Sequence, residues 1–149
     1  SMYLTAAGVA NIMKSIYPDF DREKFLQQCR RFNLPTDKKI KEFSTGMKAK
    51  FKVLVALSHK AELLILDEPT SMLDVSVQAQ IIGILKEVQE EKNISYLFIS
   101  HDLDLLRACC HRIGILNQGK LVEMEETERL FRRPADSYTK DLISAFFTF

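Results

Sequence analysis

The stretch Leu63-Leu64-Ile65-Leu66, followed at once by Asp67-Glu68-Pro69, constrains this chain more than any other. Four consecutive apolar residues without polar alternation read as a strand covered on both faces, as in a parallel sheet. Residues 94–100 (ISYLFIS) have the same texture, and an amphipathic helix expected over 75–91 separates the two. Strand, helix and strand in that order predict a parallel pair joined by a right-handed crossover. The fold class is therefore α/β.

The rest of the chain is punctuated clearly. A helix is expected over 5–16, with Thr5 as N-cap and Val9, Ile12, Met13 and Ile16 as its apolar stripe. A second runs about 21–33, with Phe25, Leu26, Cys29 and Phe32 inward, and Asn33-Leu34-Pro35-Thr36 breaks the chain after it. A third runs from Ser44, its N-cap, to about 58, with Phe51, Leu54, Val55 and Leu57 inward. After the second strand come a helix at 102–110, a strand at 112–117, a turn at Asn117-Gln118-Gly119 and a returning strand at 120–123. Helices at 126–132 and 136–147 close the chain, separated at Pro134. Two parts are expected: a helical one over 1–60 and an α/β one over 61–149.

Composition excludes several classes. At 149 residues, 46% hydrophobic and 28% charged, the chain has the balance of one ordinary globular domain, not of a disordered segment. No run approaches the roughly 18 uncharged apolar residues of a membrane span. The opening SMYLTAAGVANIMK has no basic leader before an apolar run, and Ser1-Met2 reads as the remnant of a cleaved tag. Charge is uneven: residues 1–60 hold 12 Lys and Arg against 5 Asp and Glu, whereas 61–149 hold 9 against 15. A basic half raises nucleic-acid binding. Its cations are spread over several helices without interleaved aromatics, so a solvated face is the better reading and no nucleic acid is expected. Cys29, Cys109 and Cys110 are odd in number and read as reduced thiols of a cytosolic protein. Cys109-Cys110-His111 lacks the second ligand pair of a zinc site, so buried helical thiols are the preferred reading.

Chemistry concentrates at strand and helix ends. In an open α/β sheet, ligands sit beyond the carboxyl ends of the strands. Asp67 at such an end can hold Mg²⁺ while the cation bridges phosphate oxygens. Glu68, one residue on, can orient or deprotonate a water. An acidic strand-to-loop turn is the bland alternative. The second strand ends in His101-Asp102, and His101 can donate to a terminal phosphate or simply cap the next helix. Asp74 adds one more acid after the first strand. Phe43-Ser44-Thr45-Gly46-Met47 opens a helix, whose N-terminus is a ready anion site, with Gly46 permitting close approach. An ordinary capped start is the alternative.

Taken together, these residues resemble the ATP-binding cassette (ABC) family of transporter ATPases. LLILDEPTS is similar to its Walker B strand, SMLD to its D-loop and His101 to its switch histidine. STGMK lies where the signature motif belongs, normally LSGGQ; Ser44 and Gly46 match, whereas Phe43, Thr45 and Met47 depart. The resemblance implies Asp67 as Mg²⁺ ligand and Glu68 and His101 as catalytic groups. It also implies Ser44, Gly46 and Asp74 as contacts to Mg-ATP across a dimer. The expected fold is a partial P-loop NTPase cassette: a helical subdomain plus a short, mainly parallel sheet flanked by helices. Transmembrane transporter subunits are the expected partners, on the cytoplasmic side of a membrane.

The phosphate-cradling G-x-x-x-x-G-K-[ST] loop is the family's chief ATP-holding element. Its near match here, Gly114 to Lys120, is followed by Leu121 and lies on an expected hairpin, so it reads as a false positive. The aromatic adenine platform and Q-loop belong upstream of Tyr3. The chain thus looks like the C-terminal half of a cassette and is expected to hydrolyse ATP barely at all on its own. Residues 1–70 resemble Gram-positive exporter-type cassettes and 71–149 oligopeptide and nickel importer-type ones. The expectation that follows is a fusion of two fragments near the shared DEPTS, as in an engineered chain, with a divergent natural protein as the alternative. The alternative function is a non-catalytic folding or association module. Such a module would cover exposed sheet edges by self-association or a domain-swapped dimer, with Phe146-Phe147-Thr148-Phe149 as a contact surface.

Overall fold

Short polar side chains set the helix starts. In a computed structural model that describes residues 4–147, Thr5 opens α1 (Ala6–Ile16) by accepting the Gly8 N–H at 3.0 Å. Asp21 opens α2 (Arg22–Arg31) through the Lys24 N–H at 3.0 Å. After a single 3₁₀ turn (Ile40–Glu42), Ser44 opens α3 (Thr45–Leu57). Each cap satisfies an N–H that the first helical turn leaves without a backbone partner. Ser1-Met2, Tyr3, Thr148 and Phe149 lie outside the described residues, so the expectations placed on them are not met or denied here.

Packing groups the chain into one unit up to Leu97 and a second from Phe98. This cuts the chain elsewhere than the expected division after residue 60. The first unit continues from α3 through β1 (Leu63–Asp67) and α4 (Val75–Lys92) into β2 (Ser95–Ile99), within which the boundary falls, after Leu97. Asn93, at φ 53°, is the left-handed residue that ends α4. Four phenylalanines build one end of the core: Phe20 against Phe25, Phe25 against Phe51 and Phe51 against Phe43, with ring centroids 5.5, 6.1 and 5.9 Å apart. Leu54 and Leu57 of α3 and Ile81, Ile84, Leu85 and Val88 of α4 are buried as well. Arg31 of α2 reaches Glu87 and Glu91 of α4, each at 2.9 Å, across the surface of this unit.

β1 and β2 form a two-stranded sheet and run parallel, joined at the start by the Ser95 N–H donating to the Glu62 carbonyl at 2.9 Å. The expectation that both strands are fully buried is corrected here. Leu66 is 7% exposed, but Leu63, Ile65 and Leu97 are 55, 60 and 50% exposed. Successive strand residues point to opposite faces. The Leu66 face of β1 packs inward, whereas the Leu63 and Ile65 face has no covering layer among the described residues. An unbroken apolar run therefore marks a strand built for cover on both sides, even where only one side is covered.

The second unit is a hairpin wrapped by helices. Asp102 opens α5 (Leu103–Cys109) through the Leu105 N–H at 3.0 Å. β3 (Arg112–Asn117) then pairs antiparallel with β4 (Lys120–Glu126), from Arg112 opposite Glu126 to Asn117 opposite Lys120. β4 is longer than the expected 120–123. Gln118 and Gly119, at φ 48° and 75°, form the two-residue turn that such a hairpin needs. α6 (Thr127–Arg132) and α7 (Ser137–Phe146) follow. Leu103, Leu106, Ile113, Ile115, Leu130, Phe131 and Ile143 form the core. Phe147 is 56% exposed, yet its ring sits 6.3 Å from Phe131 and 5.4 Å from Phe146.

Candidate functional site

The carboxyl end of β1 leads directly into a tight turn. Asp67 is the last strand residue and is exposed. Glu68 is half-buried at φ 44°, in the left-handed region that non-glycine residues rarely occupy and that recurs at functional turns. The Ser71 N–H donates to the Glu68 carbonyl and the Leu73 N–H to the Thr70 carbonyl, both at 3.2 Å. Thr70 is 3% exposed, and its carbonyl also accepts from Gln78 Nε2 at 3.3 Å. The turn is thereby fastened to the first turns of α4. Asp74 closes it by capping that helix, its Oδ1 accepting the Val77 N–H at 2.9 Å. Between them Met72, also left-handed at φ 62°, is 99% exposed.

The start of α3 meets the start of α4. Ser44 Oγ accepts the Met47 N–H at 3.2 Å, so this side chain serves its own helix. A Cβ on Gly46 would lie 2.9 Å from Val77 Cγ2 and 3.0 Å from Val77 Cγ1. Gly46 is thus required by close helix packing, in addition to any approach of a ligand to its backbone. Two helix N-termini, each with outward N–H groups and the positive end of a dipole, are held side by side. Lys50 braces the same region, its Nζ donating to Gln80 Oε1 at 3.1 Å and to the Phe32 carbonyl at 3.2 Å.

The structure therefore brings the Ser44–Gly46 turn and Asp74 together, and connects Asp74 to Asp67 and Glu68 through one braced loop. Sequence reading missed Val77, Thr70 and Gln78. Val77 looks like any α4 residue until Gly46 is placed against it, and Thr70 and Gln78 act through a carbonyl that no motif reports. His101 follows β2, in the second unit, and is exposed. The neighbouring helix cap is Asp102, whose N–H donates to Ser100 Oγ at 3.2 Å, so capping is not the task of His101. The near match to a phosphate loop is the β3–β4 hairpin: Gly114 lies in β3, Gly119 in the turn and Lys120 in β4.

Among the described residues no three His, Cys, Asp or Glu side chains gather to hold a metal. Mg²⁺ needs less, because it is commonly held by one or two carboxylates plus substrate phosphates and water. The exposed Asp67 carboxylate, a hard oxygen donor at a strand end, fits that demand. No helix among the described residues is long and apolar enough to cross a membrane.

Residues 15–107 match the family described as "AAA domain, putative AbiEii toxin, Type IV TA system". That single match runs through Asp67 and Glu68, and the expected join of two cassette fragments finds no support in it. The chain is 45% identical over 104 residues to the oligopeptide transport ATP-binding protein OppF of Bacillus subtilis, covering 70% of this chain and 34% of that protein. It is 48% identical over 103 residues to the uncharacterized ABC transporter ATP-binding protein YejF of Escherichia coli, covering 69% and 20%. It is 38% identical over 104 residues to the dipeptide transport ATP-binding protein DppF of Lactococcus lactis, covering 70% and 33%. The chain thus spans between a fifth and a third of the length of these relatives. With its Asp67-Glu68 turn and paired helix starts in place, the chain belongs to this AAA-domain family and is a homologue of ABC transporter ATP-binding proteins.

Proposed function

We propose that this chain forms the carboxylate and signature side of a Mg-ATP-hydrolysing unit that drives peptide import through transmembrane partner subunits at the cytoplasmic face of a membrane. The observation that carries the proposal is the side-by-side packing of the α3 and α4 starts at Gly46 and Val77, joined by the braced turn to Asp67 and Glu68. Asp67 would hold the Mg²⁺, which supplies charge neutralisation on the phosphates. Glu68 orients the attacking water and accepts its proton. The backbone N–H groups beside Ser44 and Gly46 receive the terminal phosphate of a nucleotide bound by an opposing subunit, and Asp74 stands at that interface. His101 would donate a hydrogen bond to a terminal phosphate. Without a phosphate-cradling loop in these 149 residues, most of the positioning on which phosphoryl transfer depends is missing, and the chain alone turns over little ATP.

Two measurements test this. Glu68-dependent ATP turnover by the pure chain overturns the dependence on a separate phosphate loop. Mixing the chain with a phosphate-loop segment taken from a relative is expected to restore hydrolysis that Glu68→Gln abolishes, and failure to restore any counts against the assignment.

A second reading has its own observation. The exposed Leu63 and Ile65 face of β1 suits self-association, including exchange of elements between chains, in a module that need not be catalytic. A chain that sediments as a monomer at high concentration would exclude it.

A further inference from the structure

Two thiols stand in contact where α5 ends. Cys109 is the last residue of the helix and Cys110 its C-cap, extended at φ −102° and ψ 138°. Their sulfurs are 3.7 Å apart. Both are half-buried, unlike Cys29, which is fully buried. The peptide that joins them is fixed from both sides. The Cys110 N–H donates to the Leu106 carbonyl at 2.8 Å, closing the last turn of α5. The Cys110 carbonyl accepts from Thr127 Oγ1 at 2.6 Å. The Thr127 N–H donates in turn to the His111 carbonyl at 3.0 Å. The pair is therefore held at the junction of α5, β3 and α6.

We propose that Cys109 and Cys110 form a two-electron redox site that takes hydroperoxides as oxidant and closes to a vicinal disulfide. The Cys110 thiolate attacks the terminal peroxide oxygen, the O–O bond breaks, and Cys110 becomes a sulfenic acid while the alkoxide leaves and takes a proton to become an alcohol. The Cys109 sulfur then attacks the Cys110 sulfur, the S–O bond breaks, and hydroxide leaves with the Cys109 proton as water. The balance is two thiols and one hydroperoxide giving one disulfide, one alcohol and one water.

The hydrogen bond from Cys109 lowers the Cys110 thiol, against the burial that raises it, and so favours the nucleophile on the residue assigned that role. Burial pushes the Cys29 thiol the other way, to about 11. Cα atoms across a trans peptide are about 3.8 Å apart, and most disulfides span about 4.4–6.8 Å. A bridge between neighbours is therefore strained, and closing it distorts the Cys109–Cys110 peptide, which carries the last hydrogen bond of α5. Oxidation and the final turn of that helix oppose one another, so the bridge loosens the end of α5 while its start, beside His101, stays capped by Asp102.

The test uses the whole chain. After treatment with a few equivalents of hydrogen peroxide, acid quenching, alkylation and trypsin, both cysteines leave on one peptide, Ala-Cys-Cys-His-Arg, residues 108–112. The expected product is that peptide lighter by about 2 Da, the two thiol hydrogens, and closed to alkylation until a reductant is added. Cys29 is expected to stay reduced. Cys109→Ala is expected to slow Cys110 oxidation about threefold or more, because the donor that favours the thiolate is gone. Sulfinic acid on Cys110 of the unaltered chain, bridges between chains at this peptide, or full alkylation after peroxide would each overturn the proposal. Wild-type oxidation rates in Cys109→Ala would overturn the role given to Cys109.

Discussion

Gly46→Ala tests the central geometric claim, that the starts of α3 and α4 are in contact. On helix propensity alone the change helps: alanine exceeds glycine by about 0.8–1 kcal/mol in a helix interior, and by less this close to the N-terminus. Packing opposes it. The new methyl lies 2.9 and 3.0 Å from the two Val77 methyls, well inside ordinary carbon contact of about 3.5–4.0 Å. Val77 cannot turn aside easily, since a β-branched residue in a helix has one strongly preferred rotamer. Overpacking of this kind costs about 1–3 kcal/mol. The net expectation is a loss of about 1 kcal/mol, or roughly 2–4 °C in melting temperature for a chain of this size. Urea denaturation of wild type, Gly46→Ala, Val77→Ala and the double variant completes a cycle. Val77→Ala removes the two methyls that the new Cβ meets, so the double variant should be more stable than the sum of the single effects by about 1 kcal/mol or more. A Gly46→Ala protein as stable as wild type, together with additive effects in the cycle, would refute the close approach. The packing of helix starts on which the proposed function rests would fall with it.

Four further outcomes are expected. Asp74→Ala removes the α4 cap to Val77 and should cost about 1 kcal/mol, read by chemical denaturation, while Asp74→Asn should recover most of it. Burial pushes the Tyr96 phenol, which donates to the Leu85 carbonyl at 2.9 Å, up to about 12. This group's folded value exceeds its unfolded one of about 10, so its contribution is full below pH ~10 and declines as pH rises towards its folded value. Ultraviolet titration should show a late phenol that is absent in Tyr96→Phe. Burial raises the Glu123 carboxyl, but the Ala135 and Asp136 N–H groups, at 2.8 and 3.0 Å, outweigh it and leave the group below its ordinary value. Its stabilisation is therefore present above the unfolded value of about 4.3 and lost as pH falls through the lower folded one. Glu123→Gln should lower the melting temperature at pH 7 and flatten its fall in acid. Replacing Leu63 and Ile65 together by threonine should reduce any self-association seen by sedimentation, and an unchanged association constant would remove that face as the contact.

Local chemistry was legible along the whole chain, because it depends on neighbours in sequence. Thr5 and Ser44 are short polar residues ahead of periodic apolar runs, and each caps a helix, whereas the cap of α5 is Asp102, one place beyond the His101 that the sequence offered for it. The turn at Asn117-Gln118-Gly119 announces a hairpin, and the structure builds one, which also disposes of the near match to a phosphate loop. Asp67, Glu68 and Asp74 could be placed around one strand end from spacing alone. Contacts between distant segments were not legible. Gly46 looked like a residue for a ligand's approach, yet Val77, 31 positions on, occupies the space where its side chain would be. The apolar run at 63–66 signalled burial on both faces, but burial is a property of what packs on a strand, and only the Leu66 side is covered. Adjacent cysteines are visible in any reading, whereas their 3.7 Å sulfur separation depends on α5 ending between them. By itself, then, the sequence determined the order of elements, their caps and turns, and the acids at the β1 end, since those follow from short-range sterics and hydrogen bonding. Tertiary structure alone decided which helix starts meet, which strand face stays open and which thiols touch, because each depends on side chains far apart in the chain competing for the same volume.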